Sequence, residues 1–384
     1  MNRRERLMRT FAGKSVDRPA VCFYEIDGFS QVPEDTDPFN IYNDPSWQPL
    51  LALAREKSDA IVCTGTNVMA DTGPVNIIPE KYVENKIRYE GDCIVTETVI
   101  HCGNRVLTSS TTREKDIDTT WVTEHLVKDV DDLKAWLELP LPELKGEVDV
   151  KKIADLEKLV GDSGCIMLNT SDPLCAVASL FEMSMFTITA MMEKDLFIKA
   201  LDKAAAFLEW EVELISKALP GYLWRIYGPE YASPPYLPPE LFKEYVTGYD
   251  RRLVEIIHKY NGYARLHSHG NLMKILDHIA DTGCMGLDPI EPPPQGDVQL
   301  SYVRKNYGKD MVLFGNLEAS DIENLNEADF REKVKTAIAE GTAGEGRGFV
   351  LMPSACPYGR KLSKTALTNY ETMINEIENL QRLK

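Results

Sequence analysis

The sequence predicts an α/β protein, a (β/α)8 TIM barrel with a β-hairpin insertion after the second βα unit. Three observations predict it: eight short apolar runs, helical patterns between them, and one Thr- and Val-rich stretch that breaks the alternation. A chain of 384 residues also suits a single elaborated barrel. The predicted strands are residues 20–25, 59–65, 164–169, 222–228, 263–268, 285–290, 311–316 and 348–353.

Helical segments precede the first two strands. The first places Leu7, Met8 and Phe11 on one face, which predicts a short amphipathic surface helix rather than a targeting peptide. Asp44 and Pro45 open the second helix, because an N-terminal capping carboxylate and a proline in the first turn both favour helix initiation.

Residues 83–123 alternate polar and β-branched side chains and carry turn signals near Gly91 and Gly103. We therefore predict antiparallel hairpins inserted into the barrel. Regular alternation resumes near residue 164 without a low-complexity linker, so we expect one domain over residues 1–384. An open, doubly wound sheet is the alternative fold, because a strand count read from one sequence is good to about one strand.

Composition excludes several classes of partner. A net charge of −17 opposes binding to nucleic acid or to an anionic bilayer, and no apolar run approaches the ~20 residues of a membrane helix. The eight cysteines are scattered without a C-x-x-C pair, as in proteins of a reducing compartment. We expect a cytoplasmic protein with no membrane or nucleic-acid partner. A homodimer is compatible with these features.

In a barrel, residues that follow the strands face one rim, where barrel enzymes carry their active sites. His267 and His269 end the fifth predicted strand, Glu291 follows the sixth, and Cys356 follows the eighth. An H-x-H pair on an extended backbone points both rings to one side, and imidazole, thiolate and carboxylate are the ligands of zinc. We predict a Zn²⁺ site at these four residues.

Four more polar residues end neighbouring strands. Glu230, after the fourth strand, is a candidate catalytic orienter or proton donor. Asn169 and Asp172 follow the third strand and Asn316 follows the seventh, and we predict that they bind a cofactor. Taken singly, each residue also has a structural interpretation, such as a helix-start carboxylate for Glu230.

Five segments of the chain resemble the uroporphyrinogen decarboxylase superfamily. They are "DRPAV", "PELFKEYVTGYDRRLVEIIHKY", "RLHSHGN", "LDPIEPPPQGD" and "LFGNLE". The resemblance implies a (β/α)8 barrel. Besides the decarboxylase, this superfamily contains zinc methyltransferases that work with corrinoid proteins, including coenzyme M methyltransferases and the first methyltransferases of O-demethylase systems.

Those methyltransferases carry H-x-C after one strand and a later Cys near the last. His267 matches the His, His269 stands where the first Cys would be, and Cys356 matches the second. Cobalamin-independent methionine synthase, a similar zinc barrel, adds a downstream Glu; Glu291 lies 291 − 269 = 22 positions after His269, a similar spacing. Uroporphyrinogen decarboxylases hold substrate carboxylates with an arginine-bearing "RQAGR"-like motif, whereas residues 22–29 read "CFYEIDGF".

We expect a zinc-dependent methyltransferase that moves a methyl group from a small methoxylated, aromatic substrate to the cobalt(I) of a partner corrinoid protein. Two neutral imidazoles, one thiolate and one carboxylate give the zinc site a formal charge of about zero and leave the ion more electron-poor than two thiolates would, which favours a Lewis acid that polarises a leaving oxygen. The alternatives are methyl transfer from a methylcorrinoid to a thiol, a pterin-linked methyltransferase, and a decarboxylase-like lyase. A non-catalytic corrinoid-binding scaffold is disfavoured because a D-x-H-x-x-G motif is lacking.

Overall fold

The computed structural model describes residues 1–71 and 73–382, and it confirms the barrel. Its strands, numbered along the chain, are β1 Ala20–Val21, β2 Ala60–Thr64, β3 Val68–Ala70, β4 Gly73–Pro74, β5 Val83–Glu90, β6 Cys93–Cys102, β7 Arg105–Glu114, β8 Thr120–Glu124, β9 Glu147–Val148, β10 Gly164–Ser171, β11 Leu223–Tyr227, β12 Tyr263–His267, β13 Gly286–Asp288, β14 Val312–Leu317 and β15 Phe349–Pro353.

Helices surround the sheet and connect its strands. They are α1 Arg3–Phe11, α2 Gln48–Lys57, α3 Val130–Glu138, α4 Val150–Val160, α5 Pro173–Ala178, α6 Met183–Met192, α7 Lys194–Ala218, α8 Pro239–Phe242, α9 Gly248–Lys259, α10 Leu276–Ala280, α11 Leu300–Tyr307, α12 Ala319–Asn324, α13 Glu327–Gly341 and α14 Lys364–Arg382. Shorter 3-10 turns lie at Ile41–Asn43, Pro45–Trp47, Glu80–Tyr82, Gly161–Ser163 and Pro229–Ala232, with a π-helical turn at Lys243–Thr247.

Eight parallel strands form the barrel in the order β1-β15-β14-β13-β12-β11-β10-β2. The two edge strands meet through Asp59, the residue before β2. Its N–H donates to the Val21 carbonyl at 2.7 Å, and its carboxylate accepts the Val21 N–H at 2.9 Å. All eight predicted strands are present. The first is shorter than predicted, because Tyr24 adopts a left-handed backbone conformation with φ 57° and turns the chain away.

Helix α1 closes the N-terminal end of the barrel. Leu7 and Phe11 are fully buried in the barrel interior, where the Phe11 ring lies 5.8 Å from that of Tyr263 and 6.1 Å from that of Phe314. The helix is amphipathic as predicted, with Leu7 and Phe11 buried and Glu5 exposed, and its buried face forms a plug in the barrel end. Asn2 caps it by accepting the Glu5 N–H at 2.7 Å.

The insertion forms a four-stranded antiparallel sheet in the order β5-β6-β7-β8. Gly91 and Gly103, with φ 60° and 61°, make the turns that the sequence indicated. The insertion follows β2, and helices α3 and α4 come after it. Its far end pairs with the segment after β15, since the Asp118 N–H donates to the Tyr358 carbonyl at 2.8 Å.

Within residues 1–71 and 73–382, no helix combines the length and the hydropathy that crossing a bilayer demands.

Candidate active site

The barrel interior changes from apolar to polar towards the C-terminal ends of its strands. Side chains two residues apart on a strand point to the same side, so interior positions recur at every second residue. One interior layer is apolar and consists of Cys22, Ile61, Met167, Leu223, Phe314 and Met352. Two residues further along the same strands stand Tyr24, Cys63, Asn169, Arg225, Asn316 and Ser354. The sequence thus builds a polar floor above a packed core.

His267 is fixed in this floor by a buried carboxylate. It pairs in register with Asp288 of β13, and its Nδ1 lies 2.7 Å from Oδ2 of Asp288. Because a carboxylate can only accept, Nδ1 donates this hydrogen bond, and in the neutral imidazole the lone pair lies on Nε2. Burial opposes charge on Asp288, but the Arg265 guanidinium and His267 together hold the pKa of this carboxyl below its usual range.

Arg265 is itself buried, with its Nε 2.8 Å from Oδ1 of Asp288. The N–H does not point along that line, so the contact is an ion pair without an aligned hydrogen bond. Asp288 therefore neutralises a buried guanidinium with one oxygen and orients His267 with the other.

His269 is held in the same way by Glu291. Its Nδ1 lies 2.9 Å from Oε1 of Glu291, whose Oε2 accepts the Gly270 N–H at 2.9 Å. Burial would lower the pKa of His269, but the hydrogen bond to Glu291 raises it. The rings of His267 and His269 are 4.6 Å apart and nearly perpendicular. Both oxygens of Glu291, predicted as a metal ligand, hold groups of the β12 loop.

A polar network links His267 to strands β10 and β11. The Tyr24 hydroxyl lies 3.4 Å from Nε2 of His267 and accepts a hydrogen bond from Nη1 of Arg225 at 2.8 Å. The same Nη1 contacts Oε1 of Glu25 at 2.8 Å, and Arg225 Nε donates to Oδ1 of Asn169 at 2.9 Å. Asn169, predicted as a cofactor ligand, thus positions a guanidinium. Burial raises the pKa of Tyr24 well above its usual range.

Cys356 lies on the loop after β15, half-buried, with its Sγ 3.8 Å from Oε2 of Glu25. Burial, followed by the Glu25 carboxylate, raises the pKa of its thiol. Across residues 1–71 and 73–382, no three His, Cys, Asp or Glu side chains converge closely enough to hold a metal ion. The predicted donors His267, His269 and Cys356 therefore share one rim without forming a closed cluster.

The residues fit zinc in their chemistry. Both imidazoles donate through Nδ1 to a carboxylate, the arrangement that orients metal-binding histidines, and a thiol stands beside a carboxylate on the same rim. The assignment of His267, His269, Glu291 and Cys356 as zinc ligands stays a prediction. Glu25 adds a carboxylate that the sequence pattern did not indicate.

Glu230 and Asp172 lie at the rim between strands β10 and β11. Glu230 is half-buried in a 3-10 turn, and its Oε2 accepts the Gly228 N–H at 3.1 Å. Asp172 is fully buried and caps α5 by accepting the Cys175 N–H at 2.5 Å. Burial raises the pKa of Asp172 well above its usual range. Asn316, at the end of β14, lines a cleft of about 500 Å³. Their predicted functional roles stay predictions.

Glu318 is a buried carboxyl near the site that the motifs of the sequence did not indicate. It continues the interior-facing series of β14 two positions after Asn316, and only 6% of its surface is exposed. Its Oε2 accepts a hydrogen bond from the Ser354 hydroxyl at 3.2 Å. Burial, followed by the nearby Glu291 carboxylate, raises the pKa of Glu318 to about 7. The period of two, extended past the strand end, would have found it.

Comparison with known proteins agrees with this architecture. Residues 221–380 match the uroporphyrinogen decarboxylase (URO-D) family. This region runs from β11 to α14 and contains both histidines, Glu291, Glu318 and Cys356. No curated protein sequence matches the chain.

Among solved structures, a methyltransferase from Methanosarcina mazei is similar over 99% of both chains, with 18% identity and a TM-score of 0.62. D-psicose 3-epimerase from Clostridium cellulolyticum H10 covers 60% of this chain and 83% of its own, with 10% identity and a TM-score of 0.36. The first likeness establishes a common fold along the whole chain.

Proposed function

We propose that this chain is a zinc-dependent methyltransferase that transfers a methyl group from a methoxylated aromatic substrate to the cobalt(I) of a corrinoid protein. The observation that carries the proposal is the pair His267 and His269, each with Nδ1 bound to a carboxylate at the polar end of the barrel. The URO-D match over residues 221–380 and the methyltransferase fold neighbour support the same reaction class.

His267, His269 and Cys356 would hold the zinc, with Glu25 or Glu291 as a further carboxylate. When bound, zinc supplies a Lewis acid that polarises the ether oxygen of the substrate. Asp288 keeps the lone pair of His267 on Nε2, and Glu291 does the same for His269. The pterin-linked alternative would use Asn169, Asp172 or Asn316 for ring binding, and of these Asn169 is already engaged, because both ends of its amide contact Arg225 and Cys63.

The charge of the rim argues against a decarboxylase of polycarboxylate substrates. Such substrates need free cationic groups. Both guanidiniums of the floor, Arg225 and Arg265, are already paired with Glu25 and Asp288. A neutral donor such as a methyl aryl ether fits this balanced floor better than a molecule with several carboxylates.

The experiment incubates the purified chain with zinc, cobalt(I) cobalamin and one of a series of methoxylated aromatics. The absorption spectrum of methylcobalamin and the amount of released phenol measure the transfer. We expect zinc-dependent transfer with one equivalent of phenol per methyl group. The variants His267→Ala and Cys356→Ser should lose bound zinc and activity. His101→Ala and Cys93→Ser, in the insertion sheet, are the matched controls and should keep both.

Three results would contradict parts of the proposal. Zinc-dependent methylation of a thiol from methylcobalamin, with no activity on any methoxy donor, would place the chain on the acceptor side. Release of carbon dioxide from uroporphyrinogen without any need for metal would identify a lyase. Full zinc occupancy in a variant lacking His267, His269 and Cys356 would exclude the ligand assignment.

A further inference from the structure

Glu318 has the geometry of a proton donor. Ser354 accepts the Ala319 N–H at 3.2 Å, so its hydroxyl is free to donate to Oε2 of Glu318, at 3.2 Å. Oε1 of Glu318 is buried and has no hydrogen-bond partner in the described part of the chain. A buried carboxyl oxygen without a donor is costly as an anion, whereas a protonated one can donate a hydrogen bond to a ligand.

The charged groups around Glu318 come from three segments. The carboxylates of Glu291, after β13, and of Asp321, on α12, both oppose a negative charge on Glu318. His269, after β12, and the hydroxyl of Ser354, after β15, favour that charge. Burial is the largest influence and acts with the carboxylates. The environment therefore keeps a substantial share of Glu318 protonated at neutral pH, beside the loops that carry His269 and Cys356.

We propose that Glu318 is the general acid that protonates the oxygen leaving the methyl group, an inference that rests on the proposed methyl transfer. The balance is complete with an aryl methyl ether and cobalt(I). The carbon–oxygen bond breaks with its electron pair on oxygen, and two electrons of cobalt(I) form the new bond to the methyl group. The oxygen takes the proton of Glu318 and leaves as a phenol, and solvent reprotonates the carboxylate.

Glu230, the proton donor suggested by the sequence, is less suited to this step. Its Oε2 already accepts the Gly228 N–H at 3.1 Å, so this oxygen is engaged by the backbone. Glu318 instead receives one neutral hydroxyl and keeps the other oxygen free. If Glu318 is the acid, Glu318→Gln should slow the reaction and Glu230→Gln should not. If Glu230 is the acid, the reverse is expected.

The test compares Glu318→Gln with Glu323→Gln, an exposed residue on α12 that undergoes the same change of charge. Donors are aryl methyl ethers whose phenols differ in acidity. With a weakly acidic phenol, Glu318→Gln should lower kcat by about 10²–10⁴-fold, as expected for loss of a general acid. With a strongly acidic nitrophenol leaving group, which needs no proton, the loss should nearly vanish. Glu323→Gln should match the wild type on every donor.

A readout without donor or corrinoid separates this role from a structural one. Infrared spectra titrated across neutral pH should show carboxylic acid absorption that ionises near pH 7 from two groups, Glu318 and Glu211, because burial also raises the pKa of Glu211 to about 7. Glu318→Gln should lose the Glu318 component, and Glu211→Gln should keep it. The proposal is overturned if Glu318→Gln retains wild-type kcat on weakly acidic donors, or if its loss is equal on all donors. Lack of methyl transfer by the wild type would instead refute the proposed function, and with it this role.

Discussion

Replacing Asp288 with Asn tests the buried centre of the site. Asp288 is 0% exposed, and its two oxygens face Nε of Arg265 and Nδ1 of His267. The amide keeps the size of the side chain and removes its charge. Arg265, only 1% exposed, would then be a buried cation without its counter-charge.

Removing one partner of a buried ion pair costs about 3–5 kcal/mol. We expect a loss of about 3 kcal/mol for Asp288→Asn, at the lower end, because the amide oxygen can still accept from one of the two partners. If His267 binds zinc as proposed, loss of its orienting carboxylate should also weaken zinc binding by about 10–100-fold.

Urea denaturation of the metal-free protein gives the free energy of unfolding, and competition with a chelator gives the zinc affinity. Asp310→Asn, an exposed turn residue before β14, is the matched control and should change stability by less than about 0.5 kcal/mol. An Asp288→Asn protein that is as stable as Asp310→Asn would refute the reasoning, because it would show that Arg265 needs no counter-charge.

Three further predictions concern the plug and the second histidine. Phe11→Ala should lower the free energy of unfolding by about 3–5 kcal/mol, measured in urea, because it opens a cavity among packed aromatic rings. Asp17, held mainly by a hydrogen bond from Arg6, has its pKa lowered from 3.8 to about 2. Its depressed pKa stabilises the fold above pH 3.8, by about 1 kcal/mol after allowance for solvent screening, and this contribution is lost as the pH falls towards 2, so wild type and Asp17→Asn should converge in acid. Glu291→Gln should lower the pKa of His269, measured by NMR titration of the imidazole.

Each of these has a clear contrary result. A Phe11→Ala protein of wild-type stability would mean that α1 does not pack the barrel end. If the free energies of unfolding of wild type and Asp17→Asn differ by the same amount from neutral to acidic pH, the ion pair of Asp17 with Arg6 does not cause the loss of stability in acid. An unchanged His269 titration would show that Glu291 does not control that ring.

The barrel could be predicted because its strands are apolar runs whose period and separation are visible in the sequence. The side chains at the strand ends were harder to predict as members of the site. Arg225 lies within "YLWRIYG", which reads as an apolar strand, although its guanidinium reaches the polar floor. Tyr24 and Glu25 were assigned to the first strand, but the left-handed backbone at Tyr24 ends that strand and turns both residues into the site.

The partners of the histidines could be found only in part. Glu291 was recognised by its spacing from His269, yet spacing cannot tell a ligand from a residue that binds the other ring nitrogen. Asp288 lies in "GLDPI" and reads as the end of a buried strand, so its pairing with His267 depends on the register of β12 against β13. Pairing between strands is a long-range property, which the local pattern of residues does not contain.

The plug formed by α1 and the packed layer above it determine how reactants reach the site. The N-terminal end of the barrel is filled by Leu7 and Phe11, and the next layers are apolar side chains in contact. Reactants and products must therefore reach and leave the polar floor through the rim at the opposite end. For the proposed reaction, a small methyl donor and a bulky corrinoid protein would both approach through this one opening of the barrel. The donor must then enter before the partner docks, and the demethylated product must wait until the partner has left, which predicts ordered rather than random kinetics.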